Sequence, residues 1–137
     1  MIGFATIPLG AGGVLPCVRC CPESRRVRQL RDTSDVIADV SRLALQDGRP
    51  DGVWLDGVEP FAHPGLPDAV AAAVAGGFVR VRLTTDAGAL ADTRTVTGVL
   101  GAGVRHLEVV VLGDADAHDA LSGRPGLHAA MTAGVEA

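Results

Sequence analysis

The sequence contains no lysine: all twelve basic residues among its 137 are arginines. Without lysine there is no Schiff base to a carbonyl substrate and no Walker phosphate loop, which excludes two large enzyme classes. Aromatic residues are nearly as scarce, at 3%, with Trp54 and three phenylalanines. The core must therefore be assembled from Ala, Val and Leu through many small contacts, and its cavities are expected to be small. No apolar run approaches the 18 residues that mark a membrane span, and no basic segment precedes the short apolar stretch within 1–13. These features predict a cytoplasmic, unprocessed protein that makes no membrane contact. Excess positive charge is missing as well. Twelve basic and sixteen acidic side chains leave a net charge of −4, so there is no cationic field for a polyanion and nucleic acid is not an expected partner.

What is present is ordinary globular material, 47% hydrophobic and 20% charged, of a length suited to one domain. Short β-branched runs at 2–7, 52–56, 78–84 and 104–112 read as strands. Between and after them lie helical patterns at 34–46, 66–75, 89–100 and 127–133. The first places Val36, Ile37, Val40, Leu43 and Ala44 on one face, with Thr33 or Ser34 as N-cap and Gly48 beyond its end. Four βα units in succession predict an α/β fold with a parallel sheet and right-handed crossovers.

The strand faces are unequal. Val79, Val81 and Leu83 share one face while Arg80, Arg82 and Thr84 share the other, and Leu107, Val109 and Val111 oppose His106, Glu108 and Val110. This points to a curved sheet with helices outside and an ionic concave side, against the plainer reading in which Arg80 and Arg82 are solubilising surface residues. Four units cannot close a barrel, so the outer strands need covering, by a homo-oligomer or a second chain.

The three cysteines, Cys17, Cys20 and Cys21, fall within five residues, too tight for a disulfide framework, and point to metal or redox chemistry. The nearby Arg19, Arg25 and Arg26 form an electropositive setting that favours thiolate. Inert burial, a zinc site with His63 as fourth ligand, and a thiol–disulfide pair at Cys17 and Cys20 remain open beside an iron-sulfur reading. The loop follows the first strand, at the sheet end where α/β folds bind ligands. The segments Gly57-Val58-Glu59-Pro60, Thr84-Thr85-Asp86 and Asp114-Ala115-Asp116 follow the next three strands. Each has a structural reading: Glu59 a loop carboxylate, His63 a helix cap, His106 a hydrogen-bonded sheet residue, and Asp114, Asp116 and Asp119 a helix-entry cluster.

In this order the residues resemble the radical S-adenosylmethionine family, whose cysteine loop after the first barrel strand holds a 4Fe-4S cluster. Cys17-Val18-Arg19-Cys20-Cys21-Pro22-Glu23-Ser24 is similar to that loop, and Asp56-Gly57-Val58-Glu59-Pro60 with His63-Pro64 resembles the family's Gly-Gly-Glu-Pro segment, which meets the methionyl amino group. Leu83-Thr84-Thr85-Asp86 is similar to the third-strand ending, and residues 118–126 to the stretch after the fourth strand. The resemblance spans nearly the whole chain. It implies a partial, half TIM-like barrel; Cys17, Cys20 and Cys21 as cluster ligands; and Gly57, Val58, Glu59, Pro60, Thr85 and Asp86 around S-adenosylmethionine. In the family, reductive cleavage of that cofactor yields a radical that abstracts a substrate hydrogen.

The departures are specific. In the family's Cys-x3-Cys-x2-Cys pattern, one register puts Gly13 first before Cys17 and Cys20, and the other puts Ser24 third after Cys17 and Cys21. Val58 replaces the second glycine, and its side chain is expected to enter space that glycine leaves open. The resemblance stops after four βα units, where the family has six. Three functions are consistent with this pattern. The first is a radical S-adenosylmethionine half-barrel that is degenerate or active only with a partner. The others are a non-catalytic binding or scaffold module and a thiol redox protein using Cys17 and Cys20.

Overall fold

The computed structural model describes residues 2–23 and 27–137. Among these, β1 (Phe4–Gly13), β3 (Gly52–Val58), β4 (Arg80–Thr85) and β5 (Val104–Val109) pair in parallel, and β2 (Gln29–Leu30) adds an antiparallel edge, giving the order β2-β1-β3-β4-β5. The four parallel strands stand side by side in chain order, so every crossover steps the same way. A uniform crossover hand then puts the connecting helices on one face. Those helices are α1 (Thr33–Ala44), α2 (Leu66–Ala75) and α3 (Thr93–Ala102).

The alternation read from the sequence decides which face that is. Ile7, Leu9, Val53, Leu55, Val81 and Leu83 are buried against Val36 and Val40 of α1 and Leu66, Ala69, Val70 and Ala73 of α2. The opposite face carries ions stacked on rings. Arg80 pairs with Asp51 at 2.5 Å and lies 4.8 Å from the Phe4 ring; Arg82 pairs with Glu108 and lies 4.2 Å from the Trp54 ring, whose indole N–H donates to Thr84 Oγ1 at 2.6 Å. Arg80 and Arg82 are thus ion-paired and ring-stacked rather than free surface charges. His106 on this face packs edge-on to Phe4.

The structure corrects several expectations. The sheet is mixed rather than purely parallel. β1 runs six residues beyond the expected end at Ile7, and β2 pairs with its extension at Gly10 and Ala11. That pairing depends on Gly10, where any Cβ would collide with the Gln29 carbonyl. The N-cap of α1 is Asp32, not Thr33 or Ser34. The helix expected at 89–100 is a 3-10 turn, Gly88–Ala91, followed by α3, because the Asp92 carboxylate accepts the Arg94 N–H and restarts the chain as an N-cap. The acidic cluster opens a helix, α4 (Ala115–Ser122), as its helix-entry reading implied, with Asp114 as N-cap. Last comes α5 (Leu127–Glu136), which buries Met131 against Ala87 and Leu90. Among the described residues no helix is long and apolar enough to cross a membrane.

Candidate functional site

β1 ends at Gly13, directly opposite Val58, so the cysteine loop leaves the sheet beside the turn at 57–60. Gly57 has φ of +95°, and a Cβ there would collide with the Gly10 carbonyl, so only glycine fits. This left-handed residue shifts the strand's alternation by one. Val58 is therefore fully buried in the core beneath the helices and does not fill the space over the rim. Its neighbours in that core include Val53 and Leu55 of the same strand.

Glu59 is 6% exposed. Its Oε1 accepts the Thr85 hydroxyl at 2.8 Å and the Phe61 N–H at 3.2 Å, and its Oε2 accepts the Asp86 N–H at 2.7 Å. Burial pushes its carboxyl above the usual range; the donated hydrogen bonds oppose this, and the adjacent Asp86 carboxylate adds to it. Glu59 is more than a loop carboxylate, because it fastens the turn after β3 to the end of β4. Pro60, also buried, starts the 3-10 turn Pro60–Ala62 that follows. Thr85 is fully buried and receives the Ala87 N–H on the same hydroxyl at 3.0 Å.

Asp86 is 2% exposed; its Oδ1 accepts the Gly88 N–H and its Oδ2 pairs with Arg124 at 2.5 Å. Arg124 stands between α4 and α5. It falls within the 118–126 stretch, where nothing in the sequence marks it, because its proximity to Asp86 arises only from the packing of α5 on the rim. Arg28 is a second residue the sequence passed over. It borders a cleft of about 310 Å³ together with Glu59, Phe61, Asp86 and Arg124.

His63 stands just ahead of α2, whose N-cap is Gly65, and braces the entry to that helix rather than capping its first turn. Its Nδ1 accepts the Gly65 N–H at the start of α2, and its Nε2 lies 2.8 Å from the Arg31 carbonyl. With both ring nitrogens engaged, it is not positioned as a fourth zinc ligand. Asp119 accepts the N–H groups of Gly126 and His128, capping α5.

In the cysteine loop, Cys17 and Cys20 form a disulfide, with Cα atoms 5.3 Å apart. Cys21 is half-buried and borders a hollow of about 690 Å³ with Gly12, Gly13, Thr84 and Val110. The loop is tied down by the Val18 N–H, which donates to the Leu121 carbonyl of α4 at 2.8 Å. Cysteines, the turn 57–60, Thr85, Asp86 and Arg124 thus share one rim, at the carboxyl ends of the parallel strands.

The donor set does not match a three-thiolate cluster site. Two thiols are committed to each other, Gly13 has no side chain, and Ser24, Arg25 and Arg26 lie outside the described residues. Among the described residues no group of three or more His, Cys, Asp or Glu is arranged to hold a metal ion. The hollow beside Cys21 is open and lined mainly by apolar groups, and the cleft beside Glu59 and Asp86 is bordered by Arg28 and Arg124. No family model matches this sequence, and a search of curated proteins found no match.

Proposed function

We propose that the chain is a half-barrel arc of the radical S-adenosylmethionine type that has kept the cofactor rim, and that it binds S-adenosylmethionine there as a module completed by a second copy. The observation that carries this reading is the pairing of Gly13 with Val58. It sets the cysteine loop beside the turn 57–60, in the order and at the sheet end that the resemblance requires. The one-sided helical layer and the ion-lined opposite face support the half-barrel, since a curved sheet of this kind keeps its polar side inward.

Each residue has a part in binding. The backbone of Gly57 and Val58 offers carbonyls to the ligand's ammonium, and Gly57, whose missing Cβ makes room for the Gly10 carbonyl, sets the course of that backbone. Glu59, with Thr85 and the Asp86 N–H, holds that backbone in place rather than touching the ligand. Arg28 and Arg124 supply positive charge for the ligand's carboxylate. No step is routed through a cluster, because the thiols as paired do not complete its ligand set. A catalytic version requires reduced cysteines and a ligand from the second chain.

Titration with S-adenosylmethionine under thermal denaturation tests the reading. Saturable stabilisation is expected, about 2.7 kcal/mol at a hundredfold excess over Kd; an unchanged Tm at millimolar ligand removes it. Anaerobic reconstitution with iron and sulfide is expected to leave the isolated chain without a stoichiometric cluster. A count of four irons per chain would restore the self-sufficient enzyme.

A further inference from the structure

The cysteine loop holds chemistry that the ligand rim does not use. The two sulfurs of the Cys17–Cys20 disulfide are unequal. Cys20 is exposed at the tip of the turn, whereas Cys17 is half-buried at its foot, and the Cys20 N–H donates to Cys17 Sγ at 3.2 Å. In thiol–disulfide exchange the attacked sulfur must be reachable, and the departing sulfur must carry a negative charge. A backbone N–H aimed at Cys17 Sγ stabilises that charge. Accessibility and charge stabilisation select the same direction.

We propose that Cys17–Cys20 is a thiol–disulfide exchange site for small, carboxylate-bearing thiols, with Cys20 as the attacked sulfur and Cys17 as the leaving group. An incoming thiolate forms a bond to Cys20 Sγ as the Cys17–Cys20 bond breaks, and the electron pair of the broken bond stays on Cys17 Sγ. One disulfide replaces another, so no outside oxidant or reductant is consumed. In reverse, the Cys17 thiolate attacks Cys20 Sγ and expels the thiol. Cys17 stays in place throughout, because its carbonyl accepts the Cys21 N–H at 3.1 Å and its neighbour Val18 is tied to α4. The preference for an anionic thiol follows from charge. Arg19 lies between the two cysteines, and a cleft of about 350 Å³ beside Pro16 and Val18 is bordered by Arg28 and Arg124.

The exchange at Cys20 does not need S-adenosylmethionine, although Arg28 and Arg124 are shared with that reading, and its test is separate from that titration. The oxidised Cys21→Ser protein is treated with limiting glutathione, quenched in acid, and the mixed disulfide is mapped by mass spectrometry; the adduct is expected on Cys20 at least about tenfold more often than on Cys17. The same protein, reduced and then exposed to glutathione disulfide, is expected to return to the intramolecular disulfide. An adduct shared equally between the two cysteines, or found mainly on Cys17, would overturn the assignment. Acid-quenched mixtures of the unsubstituted chain with limiting glutathione give a check that needs no variant: the mixed disulfide must map to Cys20. Cystamine, a cationic disulfide, is expected to react more slowly than glutathione disulfide, and equal or faster reaction would overturn the preference for carboxylate-bearing thiols.

Discussion

Glu59 receives three hydrogen bonds and is still pushed toward its protonated form, because burial removes more hydration than the donors replace. A folded-state value above the ordinary one, about 4.3, means that the native chain holds a proton which the unfolded chain releases. The stability tied to Glu59 is therefore fullest below the ordinary value and declines as pH rises through the raised one, by at most about 1.4 kcal/mol per pH unit. Asp39, Asp51 and Asp119 act in the opposite sense. Their carboxyls are held below the usual range, by Arg31, by Arg80 and by the His128 N–H respectively. What they contribute is present above the ordinary Asp value, about 3.9, and is lost as pH falls through their lowered values. Urea unfolding between about pH 3 and 7 should give stability that rises and then declines, and Glu59→Gln should flatten the decline. An unaltered slope in that variant would assign the decline to other groups. The sequence showed Glu59 and its proline but not this environment, since Thr85 and Asp86 stand about one strand and one helix farther along the chain.

At the level of elements, Arg49 joins two helix ends that the sequence treated separately. Its guanidinium donates to the carbonyls of Ala44 at the end of α1 and Gly76 just beyond α2, and also to Pro50, while lying 4.1 Å from the Phe78 ring centroid. A cation at two helix C-termini satisfies carbonyls that have no partner within either helix. Arg49→Met keeps the apolar stem and loses the donors. It is expected to cost about 2 kcal/mol and to remove amide-exchange protection from the last turns of α1 and α2 together. Protection lost from one helix alone would contradict the shared cap. Helices with strong periodic stripes were readable, and α2 begins and ends where its apolar spacing and Gly76-Gly77 placed it. The element that local spacing did not show is one made by a distant partner: β2 has two residues and exists because bare Gly10 lets it approach β1. In α4 half the residues are polar and the buried ones are His118 and Ser122, so the acidic cluster at its start was its sign in the sequence.

At the scale of the whole molecule, the helices cover one face of the sheet and leave Trp54, Phe4, Arg80 and Arg82 on the other, next to the β5 edge. If a second copy completes the arc, light scattering should show a dimer. The emission of Trp54, the sole tryptophan, should then shift to the blue and become less quenchable by acrylamide as the dimer forms. A dimer in which Trp54 stays equally quenchable would place the contact elsewhere and leave the polar face open.

The division between what was legible and what was not follows the range of the interactions. Local spacing was enough to establish the α/β class, the strand alternation that separates Val81 and Leu83 from Arg80 and Arg82, and the position of the candidate residues after the strands, because periodicity is a property of neighbouring residues. Tertiary structure decided that Val58 turns inward after a left-handed Gly57, that Glu59 is buried beneath Thr85 and Asp86, and that Arg124 reaches Asp86. Each of these depends on backbone conformation or on segments brought together by packing, and neither is written in the spacing of side chains along the chain.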